Sequence, residues 1–221
     1  MWEGRTMREA ERDHFRKKVP RILEALKTKR YEPVFLETAD EARRYIIDQI
    51  DTSELVGTGG SVTLREDLGL VEALRSRGNT VIDHWEDDGD YDKRIELKRQ
   101  HRGVDVFLTS ANAITEEGVI VNLDGGGNRV ASTCSGPKRV ILVAGLNKLV
   151  GTTDDAISRA RNKVAPINAV RKSLKTPCAE TGVCIDCDSP ARLCAALLIL
   201  LKKPRDIDEF TVILVNEDLG Y

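Results

Sequence analysis

Three stretches of the chain concentrate residue types able to do chemistry. The first is Val56-Gly57-Thr58-Gly59-Gly60-Ser61, which ends an apolar run and precedes a helical pattern. Glycines at 57, 59 and 60 let a backbone approach a ligand closely, and free N–H groups at a helix start attract anions. Ser61 and Thr63 add hydroxyls suited to a phosphate or carboxylate. The run contains neither GxGxxG nor GK[ST], so it is not a dinucleotide fingerprint or a P-loop. A tight strand-to-helix turn without a ligand has the same composition.

The second stretch runs from Ser110 to Val130 and packs Asn112, Asn122, Asp124, Asn128 and Arg129 around three consecutive glycines. Amides and one guanidinium supply directional donors and a bidentate anion grip, as a small carboxylate or sugar requires. Asn and Gly also fill turn positions needing positive φ, the alternative reading. Glu116, in Glu116-Glu117-Gly118, is a candidate nucleophile or general acid/base, or else one member of a charged hairpin turn. Lys148, just after the apolar run ending at Gly145, is placed to neutralise a substrate anion.

The third stretch holds Cys178, Cys184, Cys187 and Cys194, spaced C-x5-C-x2-C-x6-C, with Cys134 standing apart. Four thiolates suit tetrahedral zinc or an iron–sulfur cluster, and the Cys184/Cys187 pair forms a chelating bite. The spacing matches neither the usual zinc ribbon nor the ferredoxin run. A redox-active CxxC pair or four reduced thiols are the alternatives. An odd cysteine count without an export signal argues against a secreted disulfide framework.

The elements that must position these residues alternate between strand and helix. Strands are expected at 33–37, 54–58, 79–84, 104–110, 119–123, 139–145 and 211–215. The segment 104–110 is too apolar to have a wet face, as in the middle of a parallel sheet. A charged amphipathic helix is expected over about 8–29. Capping boxes at Thr38/Glu41 and Thr63/Glu66 open helices over 39–50 and from 63 to about 77, and Thr152 caps another over 154–164. Residues 87–102 read as a helix or an excursion. Ser189-Pro190 reads as the start of an apolar helix to Leu201, which would put Cys194 on its second turn. The pattern implies a doubly wound, mainly parallel α/β sheet with one antiparallel hairpin at Glu117-Gly118. A single domain spans 1–221, with 178–194 a cysteine-rich flap before a C-terminal helix and strand.

Composition sets the outer limits. The 221 residues are 41% hydrophobic and 32% charged, which excludes a disordered chain. Thirty-four basic and 36 acidic side chains leave a net charge of −2, without the basic surplus of a nucleic-acid binder. The longest apolar run, Leu193 to Leu201, is far below the ~18 residues that span a bilayer. No signal-peptide pattern opens the chain, and Met7 offers an alternative start. A cytoplasmic protein is expected.

Together VGTGGSVTLRE, TSANAITEEGVIVNLDGGGNRVAS, GPKRVILVAGLNKLV, APINAVR and CAETGVCIDCDSPARLC resemble the LUD-domain family, the lactate-utilisation LutC/YkgG group. The resemblance covers about Arg8 to Tyr221. It implies a fold similar to ribose-5-phosphate isomerase, glucosamine-6-phosphate deaminase and the CoA transferases, in which glycine loops after strands bind phosphate, CoA or carboxylate groups. Glu116-Glu117-Gly118 matches the short Glu-x-Gly context of a CoA-transferase nucleophile. The resemblance also implies a role in oxidising lactate, or a related hydroxy acid, to pyruvate beside iron–sulfur partner proteins, and homodimers are common in the superfamily. Larger relatives append a ferredoxin-like cysteine region, whereas this chain carries only the four-cysteine segment. Three roles follow: subunit or accessory factor of hydroxy-acid oxidation, independent isomerase or CoA-transferase-like enzyme using Glu116, or metal- or redox-sensing regulator.

Overall fold

The computed structural model describes residues 7–221; residues 1–6, and with them the question of the start at Met7, lie outside the described residues. The chain runs α1 (Met7–Thr28), β1 (Glu32–Leu36), α2 (Ala39–Asp48), β2 (Val56–Thr58), a π-helical turn (Thr63–Asp67), α3 (Leu70–Ser76), β3 (Val81–Asp83), α4 (Tyr91–Gln100), β4 (Val106–Ser110), β5 (Ala113–Thr115), β6 (Ile120–Asp124), α5 (Asn128–Cys134), β7 (Arg139–Gly145), β8 (Leu149–Val150), α6 (Thr153–Arg159), a second π-helical turn (Ala160–Val164), α7 (Ala165–Arg171), α8 (Pro177–Thr181), β9 (Ala196–Leu200) and β10 (Glu209–Val215).

Six strands form a wholly parallel sheet in the order β1-β10-β7-β4-β2-β3. Its strands are apolar on both faces because both faces are covered. Phe107, Val140, Leu142, Phe210, Val212 and Leu214 pack on one side with Val19, Ile22 and Leu26 of α1. Val106, Leu108, Ile141, Val143, Ile213 and Val215 face the other side, against α2, α3 and the first π-helical turn. The chain leaves β2 toward β3 but leaves the neighbouring β4 toward β7, so the direction of winding reverses between β2 and β4. In open α/β sheets such a switch point opens a crevice at the carboxyl ends of the strands.

A second, mixed sheet, β8-β5-β6-β9, was not foreseen from the sequence. The hairpin β5–β6 is antiparallel, as expected at Glu117-Gly118. The apolar helix expected up to Leu201 is instead β9, antiparallel to β6 from Ala196 to Leu200. A short apolar run has no period that separates strand from buried helix. Tertiary context decides here. Ile120 and Val121 of β6 are buried on opposite faces, so the free edge of β6 needs a partner, and Leu198, Leu200 and Ile199 continue both layers. Cys194 therefore precedes a strand and does not stand on the second turn of a helix.

Thr38 and Thr152 cap α2 and α6 as expected, the second through a full capping box with Asp155. The single helix expected from Thr63 is broken. A π-helical turn over 63–67 ends, and Gly69 at φ +56° starts α3 afresh. Val62 is already helical, so Thr63 lies inside the turn rather than at its cap, and its hydroxyl accepts from Lys148. The charged stretch 87–102 contains helix α4, capped by Asp90.

Candidate functional site

The crevice at the switch point holds a cavity of about 70 Å³. Its floor comes from the ends of parallel strands: Gly60, Ser61 and Thr63 after β2, Ser110 to Asn112 after β4, Lys148 after β7 and Gly220-Tyr221 after β10. Its far wall comes from the second π-helical turn and α7, through Ala160, Asn168 and Arg171, and from Leu193 of the cysteine segment. The volume suits an ion or acid of a few heavy atoms rather than a drug-sized ligand, whose pockets run to ~300 Å³ and more.

Lys148 dominates the electrostatics. It is 4% exposed, and its Nζ donates to Ser110 Oγ at 2.7 Å and Thr63 Oγ1 at 3.1 Å. No carboxylate lies within ion-pair distance of it among the described residues. Asp67, the acid that acts on it most, accepts the Gly220 N–H instead, at 2.7 Å. Burial, with help from Arg159 and Arg129, pushes the Lys148 pKa down to about 7. A buried ammonium held only by two hydroxyls lacks the counter-charge that such groups ordinarily have.

Arg129 stands beside it, with its side chain 17% exposed. Its Nη2 donates to the Leu123 carbonyl at 2.5 Å and more loosely to Asn112 Oδ1 at 3.4 Å, and Asp124 Oδ2 lies 4.0 Å from its Nε. Arg159 donates to the backbone oxygens of Asn112, Asn147 and Tyr221. Burial lowers the pKa of both guanidinium groups, against which Asp124 pulls Arg129 back up. With Arg171, four cations therefore converge on or just behind the cavity wall. An anion is the occupant such a field selects.

The other residues singled out from the sequence divide clearly. Gly60 lines the cavity at φ +66°, where a side chain would run into His84 and Trp85. Gly57 and Glu116 do not line it. Gly57 packs under Val104 and Phe107, while Gly59 sits against the stem of Arg129. Asn112 reaches the cavity, but its Oδ1 accepts the Leu123 N–H at 2.6 Å, and Asn122 Oδ1 accepts the Asn112 N–H at 2.9 Å. The two amides thus brace the chain just beyond β4 against β6. Asp124 accepts N–H groups from Gly126, Arg129 and Val130, capping the start of α5. Asn128 also stands at that start, with its Nδ2 buried and unbonded. Ser110, Arg159, Asn168, Arg171 and Tyr221 were not singled out individually. Asn168 and Arg171 nevertheless lie in the APINAVR segment that carried the family resemblance.

Glu116 occupies the hairpin turn, where its carboxylate accepts from Lys18 Nζ at 2.7 Å and from Arg21 on α1. Those cations hold its pKa below the ordinary value, Lys18 first. A carboxylate so engaged, away from the cavity, acts as a latch for α1. Glu116→Gln is expected to leave small-carboxylate binding unchanged in calorimetry. A lost or strongly weakened isotherm would return Glu116 to the site.

Cys178, Cys187 and Cys194 line one small cavity of about 10 Å³, which shares Ala165 and Leu193 with the larger one, while Cys184 is not part of its lining. Cys178 Sγ lies 3.4 Å from Thr176 Oγ1, and Arg192 ties the segment together through the carbonyls of Cys187 and Cys194. Among the described residues no three His, Cys, Asp or Glu side chains converge as metal ligands. Three of the four cysteines expected as zinc or iron–sulfur ligands thus border one space, and Cys184 stands outside its lining. His84 and His101, scattered in sequence, meet edge to face at 5.4 Å. Burial pushes their pKa values down to about 3 and about 4, so both stay neutral.

No helix among the described residues is long and apolar enough to cross a membrane. A comparison with curated proteins returned no match. Among solved structures, the chain is similar to a DUF162 family protein from Deinococcus radiodurans, with a TM-score of 0.52 and 12% identity over 91% of this chain and 98% of that one. That likeness supports the α/β fold. The family description "LUD domain" matches residues 19–215, from the middle of α1 through the last strand. The chain belongs to the LUD domain family.

Proposed function

We propose that this protein binds a small carboxylate, or a phosphorylated acid, in the switch-point cavity, and serves as a subunit or accessory factor in the oxidation of lactate or a related hydroxy acid to pyruvate. The observation that carries the reading is Lys148, a buried cation with hydroxyl partners but no counter-ion, in a cavity also walled by Arg129 and Arg171. A carboxylate there would replace the missing charge and accept from Lys148, with the Arg129 guanidinium beside it. Iron–sulfur proteins of the same oxidation are the partners this role calls for.

Calorimetry with lactate, pyruvate, CoA and sugar phosphates tests the proposal. A hydroxy or keto acid is expected to bind, with affinity falling at least about tenfold in Arg129→Ala and partly restored in Arg129→Lys. The reading fails if none of these ligands binds, or if Arg129→Ala leaves the isotherm intact.

A second reading, an independent isomerase or CoA-transferase-like enzyme, draws its support from the same lysine. A pKa near 7 is what a general acid/base needs at neutral pH. Since Glu116 is latched to α1, that enzyme would run on Lys148. Turnover of an acyl-CoA or sugar phosphate, lost in Lys148→Met, is its mark.

A further inference from the structure

Beside the cavity lies a wider open groove of about 560 Å³, lined by His84, Trp85, Arg94, Lys98, Arg171 and Lys172 among others. The two spaces share Arg171 and Leu193, and Gly60 of the inner cavity abuts His84 and Trp85 of the groove. Trp85 meets two cations, with the Arg65 and Arg171 guanidinium groups 5.0 and 5.4 Å from its ring centroid. The ring thereby steadies Arg171 at the passage between the two spaces.

The charge in the groove is unbalanced. Among the described residues, Arg94 alone of its four cations has an ion-pair partner, Asp87, whose carboxylate also accepts the Gly89 N–H. Asp124, the other acid acting on the lysines, is engaged with the N–H groups that begin α5. Among the described residues, Lys98, Arg171 and Lys172 have no carboxylate within ion-pair distance. Lys98 is half-buried over the glycine loop. A side chain at Gly126 would come within 3.2 Å of its Nζ, so the bare backbone there leaves the ammonium its place. Burial, first of all, lowers the pKa of both lysines, with Arg94 adding to it at Lys98 and Arg171, Lys98 and Arg94 adding to it at Lys172. Like charges held together without a neutralising carboxylate are stabilised by an external anion.

We infer that Lys98, Lys172 and Arg171 build a second anion subsite, which takes the phosphoryl end of an organic acid whose carboxylate occupies the inner cavity. The inference rests on the inner-cavity reading above for the carboxylate end, and on the groove alone for the phosphoryl end. It narrows the ligand class to acids phosphorylated at a distance from the carboxylate, with Arg171 placed between the two charges.

Two probes separate the ends: inorganic pyrophosphate for the groove and pyruvate for the cavity, each titrated calorimetrically into the full chain. The double variant Lys98→Ala/Lys172→Ala is expected to lose at least about tenfold in pyrophosphate affinity while keeping pyruvate affinity. Lys148→Met is expected to do the reverse. The subsite is overturned if the wild type does not bind pyrophosphate, or if the double variant binds it as the wild type does. Pyrophosphate binding that depends on the two lysines, with no pyruvate binding, keeps the subsite and removes the inner-cavity reading. Circular dichroism of the double variant guards against misfolding, and Lys98→Arg/Lys172→Arg should restore pyrophosphate binding.

Discussion

Lys148→Met abolishes carboxylate binding and raises the melting temperature. Both effects follow from one placement. The ammonium is 4% exposed, faces two hydroxyls and no acid, and has a pKa lowered from 10.5 to about 7. Each unit of such a shift corresponds to ~1.4 kcal/mol of differential interaction, so keeping the lysine in the unliganded fold costs a few kcal/mol. Methionine has a similar length and no charge. Its introduction leaves Thr63 and Ser110 short of one donor, which offsets part of the gain. A net stabilisation of about 1–3 kcal/mol is expected, or several degrees in Tm for a domain of this size. Affinity for pyruvate should fall at least about a hundredfold, since a buried charge-assisted pair is lost. Calorimetry and thermal denaturation of the same variant give both numbers. A destabilised variant that still binds contradicts the account.

Binding weakens above neutral pH while the free protein gains stability from the same group. In the free fold Lys148 gives up its proton near pH 7, whereas in the unfolded chain it keeps the proton to about 10.5. Between those values the unfolded state binds more protons, so stability rises with pH through this window. Below pH 7 the lysine is charged in both states and its destabilising contribution is fully present. The ligand requires the ammonium, so affinity should drop by about tenfold per pH unit above 7, until the lysine's pKa in the complex is reached. Proton uptake approaching one per ligand, read from calorimetry in buffers of different ionisation enthalpy at pH 8, is the signature. Lys148→Met should abolish the uptake. Affinity flat from pH 6 to 9 would mean that Lys148 does not meet the anion.

The central sheet was readable from the chain because β4, β7 and β10 carry consecutive apolar residues that point to both faces, a pattern that burial on both faces explains. The run ending at Gly145 pointed to Lys148, since residues just past such strands lie on the binding rim, and the amide- and glycine-rich run 110–130 pointed to Arg129. What stayed hidden depended on contacts between distant segments. Glu116 offers a carboxylate in any sequence reading, and only the path of α1 brings Lys18 and Arg21 onto it. Asn122 and Asp124 look like ligand groups, yet backbone N–H groups claim their oxygens. Arg159 and Arg171 sit on either side of a π-helical turn that no periodicity announces, and that turn supplies part of the cavity's far wall. The run 193–201 became a strand because β6 had an edge to fill, a demand invisible within the run itself.

A crystal structure of the protein grown with pyruvate would show whether Lys148 holds the anion. The carboxylate is expected within hydrogen-bond distance of Lys148 Nζ, on the Arg129 side of the cavity between the ends of β2 and β4. Pyruvate bound elsewhere, with Lys148 still donating only to Thr63 and Ser110, would contradict it.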